Sequence, residues 1–92
     1  MNEKLIERKL REKVKKLGGE AIKLWSITDN GLPDRIILMP SGRVWFVELK
    51  TTNKKLKPMQ KIKFNMLRAL GFYVCVVDTQ EALDNFLTLL AS

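Results

Sequence analysis

Asp34, Glu48 and Lys50 have the types and spacing to do chemistry together. Asp34 follows Gly31-Leu32-Pro33 and opens an apolar run, Ile36-Ile37-Leu38-Met39. The chain then turns at Pro40-Ser41-Gly42 and returns as Val44-Trp45-Phe46-Val47-Glu48-Leu49-Lys50. Two β-type runs joined by a short Pro/Gly turn read as an antiparallel hairpin. Such pairing sets the start of the first strand beside the end of the second, so Asp34 is expected near Glu48 and Lys50. Residues i and i+2 of a strand share a face, so Glu48 and Lys50 project together. Three charged groups at the end of two apolar strands are costly unless they are used. The carboxylates can hold a hard divalent cation such as Mg²⁺ through oxygen. The lysine can orient or activate a water, or offset charge on a phosphate under attack. A salt bridge at the sheet rim is the alternative for the same residues. A second acid-x-Lys, Glu7-Arg8-Lys9, differs because it lies in a helical stretch, where i and i+2 do not face each other.

Pro33-Asp34 followed by Glu48-Leu49-Lys50 resembles the PD-(D/E)xK nucleases. Gly31-Leu32-Pro33-Asp34 with Glu48-Leu49-Lys50-Thr51, then Gln60 opening a helix, is similar to the VRR-NUC branch, especially its small stand-alone phage and bacterial members. The resemblance runs from Glu7 to about Asp78. It implies an α/β fold of order αβββαβα, with a small mixed central sheet flanked by helices. The activity implied is metal-dependent endonucleolytic hydrolysis of DNA phosphodiester bonds, with Mg²⁺ or Mn²⁺ as cofactor. Asp34 and Glu48 would ligate the ion, the Leu49 carbonyl would add a ligand, and Glu7 from the first helix would complete or water-bridge the site. Lys50 would position the attacking water and Gln60 would support it. Small VRR-NUC proteins act as homodimers on branched DNA, including four-way (Holliday) junctions, so DNA of that kind and a second copy are the implied partners. A flap or single-strand nuclease, or a non-catalytic nucleic-acid-binding module on a nuclease fold, are the alternatives.

Composition narrows the chemistry. Ninety-two residues suit one small domain over 1–92, with a single core. There is no histidine, which removes Ser/His triads, Cys/His zinc sites and His-metal nuclease centres. The lone Cys75 sits in an apolar run, where a buried structural thiol is expected, and it permits no intrachain disulfide; this fits a cytoplasmic setting, which the resemblance implies is that of a bacterial or phage-infected host cell. No apolar run approaches the roughly 20 residues that span a bilayer, so no membrane partner is expected, nor any organic cofactor. The net charge is +7, yet every Lys and Arg lies at or before Arg68, and the 24 residues after it carry only Asp78, Glu81 and Asp84. A basic body with an acidic end suggests a polyanion held on one side.

The remaining elements position the hairpin. Residues 3–17 have Ile6, Leu10, Val14 and Leu17 at helical spacing, and Gly18-Gly19 ends the helix. Glu7 borders that stripe and can also pair with Arg11 at i+4; Glu3 is the weaker acidic candidate. Arg8, Arg11 and Lys15 on the outer faces are candidate phosphate contacts. Residues 20–27 read as a strand, followed by turn chemistry through Gly31, which allows a close backbone approach, to a phosphate or simply within a turn. Pro33 limits the loop that delivers Asp34. Residues 51–57 form a polar loop whose Lys54, Lys55 and Lys57 are further phosphate candidates. Pro58 opens a helix to about Leu70, with Met59, Ile62, Met66 and Leu70 as the expected buried stripe and Leu67 flanking it. Phe72 to Val77 reads as a strand buried on both faces, reached by a βαβ crossover. A last helix, Gln80 to Leu90, follows a Thr79 or Asp78 cap. Its Leu83, Phe86, Leu87 and Leu90 either complete the monomer core or form the dimer contact, because like charges oppose pairing through the basic face.

Overall fold

The structure, a computed structural model, describes residues 2–25, 31–50 and 55–92. Its elements run α1 (Glu3–Lys16), β1 (Glu20–Lys23), β2 (Arg35–Met39), β3 (Arg43–Leu49), α2 (Pro58–Ala69), β4 (Tyr73–Val77) and α3 (Gln80–Ala91). The order expected from the sequence, αβββαβα, is the order found. The strands form one sheet in the order β1-β2-β3-β4. β1, β2 and β3 are antiparallel neighbours, and β3 pairs in parallel with β4, the strand reached through α2.

Local chemistry sets each boundary. Asn2 caps α1, its side-chain oxygen accepting from the Lys4 N–H. Gly18, at φ +88°, lets the chain leave that helix in a left-handed turn. Thr79 rather than Asp78 caps α3, accepting from the Ala82 N–H at 3.0 Å. The hairpin turns through Ser41 and Gly42, both at positive φ.

The pleat divides the sheet into two faces. Ile37, Met39, Trp45, Val47, Leu49 and Val77 face α1 and α3, which contribute Ile6, Leu10, Val14, Leu83, Phe86 and Leu90. On the other face, α2 sets Phe64 and Leu67 against Val74, with Phe46, Leu56 and Val76 around them.

Three expectations are corrected by this packing. The stripe expected to bury α2 is exposed: Met59, Ile62, Met66 and Leu70 face water, and the helix buries Gln60, Phe64 and Leu67 instead. The same face that packs Phe64 and Leu67 on the sheet brings Gln60 onto Glu48. The apolar residues of α3 are not a dimer surface, because Leu83, Phe86 and Leu90 complete the monomer core. β4 is an edge strand; Val74 and Val77 are buried, but Tyr73 is open to solvent. The expected strand over 20–27 ends at Lys23, and its last two positions lie outside the described residues. No helix among the described residues is long and apolar enough to cross a membrane.

Candidate active site

The β2–β3 register ends with Arg35 opposite Val47, so one step further sets Asp34 opposite Glu48. Arg35 and Val47 point to the α1/α3 face; by alternation Asp34 and Glu48 point to the α2 side. There they clasp each other's backbone. The Asp34 N–H donates to Glu48 Oε1 at 3.1 Å, and the Leu49 N–H donates to the Asp34 carboxylate, 3.4 Å from both oxygens. The Asp34 carbonyl accepts from the Leu24 N–H at 2.8 Å, tying the loop to β1, and the Lys50 N–H donates to the Val77 carbonyl at 2.9 Å. Four strands therefore hold the backbone that carries these side chains.

The second oxygen of Glu48 serves the other partners. Lys50 Nζ lies 3.4 Å from Glu48 Oε2, as expected for i and i+2 on one face. Gln60 Nε2 donates to the same oxygen at 3.1 Å. The Gln60 amide can point only one way. Its oxygen accepts from the Lys57 N–H at 2.9 Å, capping the first turn of α2, so the NH₂ group must face Glu48. Pro58 contributes by fixing φ where no N–H is needed.

The site favours a cation. Asp34 is pushed up to about 7 from its ordinary value, first by burial and then by the adjacent Glu48 charge; the Leu49 N–H and Arg35 act in the opposite direction. Two carboxylates this close in a half-buried spot repel one another, and a divalent ion between them would relieve both causes. No cluster of three or more His, Cys, Asp or Glu residues forms among the described residues. Two carboxylates, supplemented by a backbone carbonyl and waters, suit Mg²⁺, which keeps much of its hydration and accepts few protein oxygens. The residues present fit the ion.

Comparisons with known proteins show the family and the fold. The VRR-NUC domain family model matches residues 1–81. The chain belongs to the VRR-NUC family. A phage protein, "Putative nuclease p44" of Acyrthosiphon pisum secondary endosymbiont phage 1, is 40% identical over 81 residues, covering 88% of this chain and 87% of its own. A solved structure titled "VRR_NUC domain" superposes with a TM-score of 0.86 at 31% identity, over 94% of each chain. The mixed four-stranded sheet flanked by helices is thus the VRR-NUC fold.

Other candidate residues lie further from the carboxylate pair. The Glu7 carboxylate meets Arg35 Nη2 at 2.9 Å, with Arg11 Nε at 3.9 Å, on the sheet face opposite to Glu48. The α1 acid whose charge acts on Asp34 is Glu3, one turn earlier, which raises its pKa. Arg35 went unnoticed in the sequence. It is 6% exposed, and its Nε has no hydrogen-bond partner among the described residues. An arginine on the inward phase of an apolar strand, with Glu7 on the facing helix, was the available clue. Gly31 is buried and makes its close approach to α2: a Cβ there would sit 2.6 Å from the Met59 carbonyl oxygen. That contact is with protein and supplies the physical reason for glycine. Arg8, Arg11 and Lys15 are exposed on the side of α1 that carries Glu7, and Lys55 and Lys57 are exposed before α2. Lys54 lies outside the described residues.

Proposed function

We propose that this chain is a metal-dependent endonuclease that hydrolyses DNA phosphodiester bonds, with Asp34, Glu48 and Lys50 as its working residues. The observation that carries the reading is the paired carboxylates, held by backbone N–H groups and backed by one lysine on the same oxygen of Glu48. VRR-NUC membership and a relative named as a nuclease support hydrolysis. Asp34 and Glu48, with the Leu49 carbonyl, would hold Mg²⁺ or Mn²⁺, and Glu3 would contribute through water, whereas Glu7 is taken up by Arg35. When bound, the ion supplies Lewis acidity toward a phosphate oxygen and lowers the pKa of a water. The chain's own residues do the rest. The Leu49 N–H fixes Asp34, and Gln60 fixes Glu48 from the capped end of α2. Lys50, with two N–H bonds to spare beyond Glu48, can hold the attacking water and offset the charge that develops on the phosphate.

The substrate we propose is branched DNA, with the four-way junction first. Exposed Arg8, Arg11, Lys15, Lys55 and Lys57 would take its phosphates. The assembly proposed is a homodimer, whose two equivalent sites match the two equivalent cleavage positions of a symmetric junction. The proposed compartment is the cytoplasm of a bacterial or phage-infected host. Incubation with Mg²⁺ or Mn²⁺ and a panel of single-strand, flap, duplex and four-way substrates tests this. The four-way junction should be cut fastest, and chelation should stop the reaction. Salt-sensitive binding without cleavage under either metal would reduce the protein to a binding module.

A further inference from the structure

Three polar side chains are buried among the described residues: Glu48, Gln60 and Arg35. Glu48 and Gln60 are bonded to each other at the carboxylate pair. Arg35 follows Asp34 in the chain but lies on the other face of the sheet. Strand alternation sends it there with Ile37 and Met39, into the apolar layer that α1 and α3 cover. A guanidinium stays charged, so burying one is costly unless an anion meets it. Glu7 of α1 meets it, with Oε1 2.9 Å from Arg35 Nη2.

This pair is not needed to fill space. Two apolar side chains of similar volume often hold a helix on a sheet as well, because a buried ion pair gives up the hydration of both charges. What the pair adds is direction, since a planar guanidinium meets a carboxylate in few geometries. Here that direction bears on Asp34. Its N–H donates to Glu48 Oε1, its carboxylate accepts from the Leu49 N–H, and its carbonyl accepts from the Leu24 N–H. Those bonds hold Asp34 to β3 and to the segment after β1, within the sheet. Arg35 is the first residue of β2, and its pairings with Lys23 and Val47 are the last rungs of both ladders. The end of a strand twists about its own axis more readily than its middle does. Such a twist would swing the Asp34 carboxylate off Glu48. Consecutive side chains leave a strand on opposite faces, so the same twist would also pull Arg35 away from Glu7. The Asp34–Arg35 peptide is thereby held from both sides of the sheet.

We propose that Arg35, clasped by Glu7, is a positioning residue of the metal site. From behind the sheet it fixes the twist at the start of β2, and that twist sets Asp34 against Glu48. Glu7 then acts through Arg35, so that α1 as well as the strands holds the ligand in place. The inference rests on the metal-site reading above, and its test reads binding of the ion rather than cleavage.

The experiment is a calorimetric titration of the full chain with Mn²⁺ in the absence of DNA, with circular dichroism and thermal melts in chelator as the check on folding. Arg35→Met and Glu7→Gln should each weaken Mn²⁺ binding by about ten- to hundredfold, the loss usual for groups that hold a ligand from behind. The double variant Glu7→Gln/Arg35→Met should lose no more than Arg35→Met alone, because the two side chains act as one unit. If Glu7→Gln fails to fold, having left a buried cation alone, the double variant against Arg35→Met carries the comparison, since neither protein buries an unpaired guanidinium. Arg43→Met is the control for a purely structural arginine. It removes the bond from Arg43 Nη2 to the Leu90 carbonyl at the other end of β3. That change should lower Tm and leave Mn²⁺ affinity where it was. A folded Arg35→Met with the parent's Mn²⁺ affinity would overturn the proposal. So would a Glu7→Gln loss that recurs in full when Arg35 is already Met, which would make Glu7 a ligand in its own right. A parent that binds no Mn²⁺ would overturn the reading of the site itself, and this inference with it.

Discussion

At the scale of single residues, the account rests on which atoms of Glu48 do what. Oε1 holds the Asp34 loop, and Oε2 collects Gln60 and Lys50. Replacing Asp34, Glu48 or Lys50 with Ala should therefore lower cleavage by orders of magnitude while leaving DNA affinity nearly unchanged, as read by single-turnover kinetics beside a binding titration. Gln60→Ala should cost less. Its amide supports a ligand rather than supplying one, and losses of about ten- to hundredfold in activity or metal affinity are usual for such partners. Asp34 also makes stability depend on pH. Its folded pKa of about 7 lies above the ordinary 3.8, so the folded chain binds this proton more tightly than the unfolded chain does. In metal-free protein the resulting stability is full below about pH 4 and is lost as pH rises through about 7. Thermal melts in chelator should show that decline in the parent and a flatter profile in Asp34→Asn. Added Mg²⁺ or Mn²⁺ above pH 7 should raise the parent's Tm more than the variant's.

At the scale of elements, α2 carries the lesson about what the sequence makes legible. The hairpin could be read because turn chemistry and strand alternation are local, and they bring Asp34 to Glu48 and set Lys50 beside Glu48. The boundaries of α1 and α3 were equally local, set by Asn2, Gly18 and Thr79. The rotation of α2 was not local. Met59, Ile62, Met66 and Leu70 make the cleaner apolar stripe, but the opposite side of the helix packs Phe64 and Leu67 on the sheet and carries Gln60 to Glu48, which leaves the stripe outward. The Arg35–Glu7 pair was hidden for the same reason, since it depends on which helix face meets which strand. Gly31 joins loop to helix and gives a stability test. Gly31→Ala would force a Cβ against the Met59 carbonyl and Lys63, and such overpacking should cost about 1–3 kcal/mol in denaturant unfolding. The basic segment before α2 gives a binding test. Replacing Lys54, Lys55 and Lys57 together with Ala should flatten the log–log salt dependence of DNA affinity by about two to three. An unchanged slope would move the DNA surface to another face.

At the scale of the whole molecule, charge and shape have separate tasks. Before β4 the 17 Lys and Arg outnumber 7 acids for a net of +10, and the chain after Arg68 carries three acids and no Lys or Arg, which brings the whole to +7. The proposed phosphate contacts therefore fall on α1, the loop before α2 and α2 itself, while α3 with its acids completes the core on the side away from α2. The carboxylate pair lies at the end of the sheet, where β2 begins, β3 finishes and the first turn of α2 arrives. The central claim is that this convergence is a metal-dependent hydrolytic site. The most direct measurement is the single-turnover cleavage rate of a four-way junction in chelator, in Mg²⁺ and in Mn²⁺, for the parent and for Glu48→Ala at equal DNA occupancy. The account predicts cleavage by the parent in metal only, and none by Glu48→Ala in either ion. Cleavage that persists in chelator, or in Glu48→Ala, would contradict it.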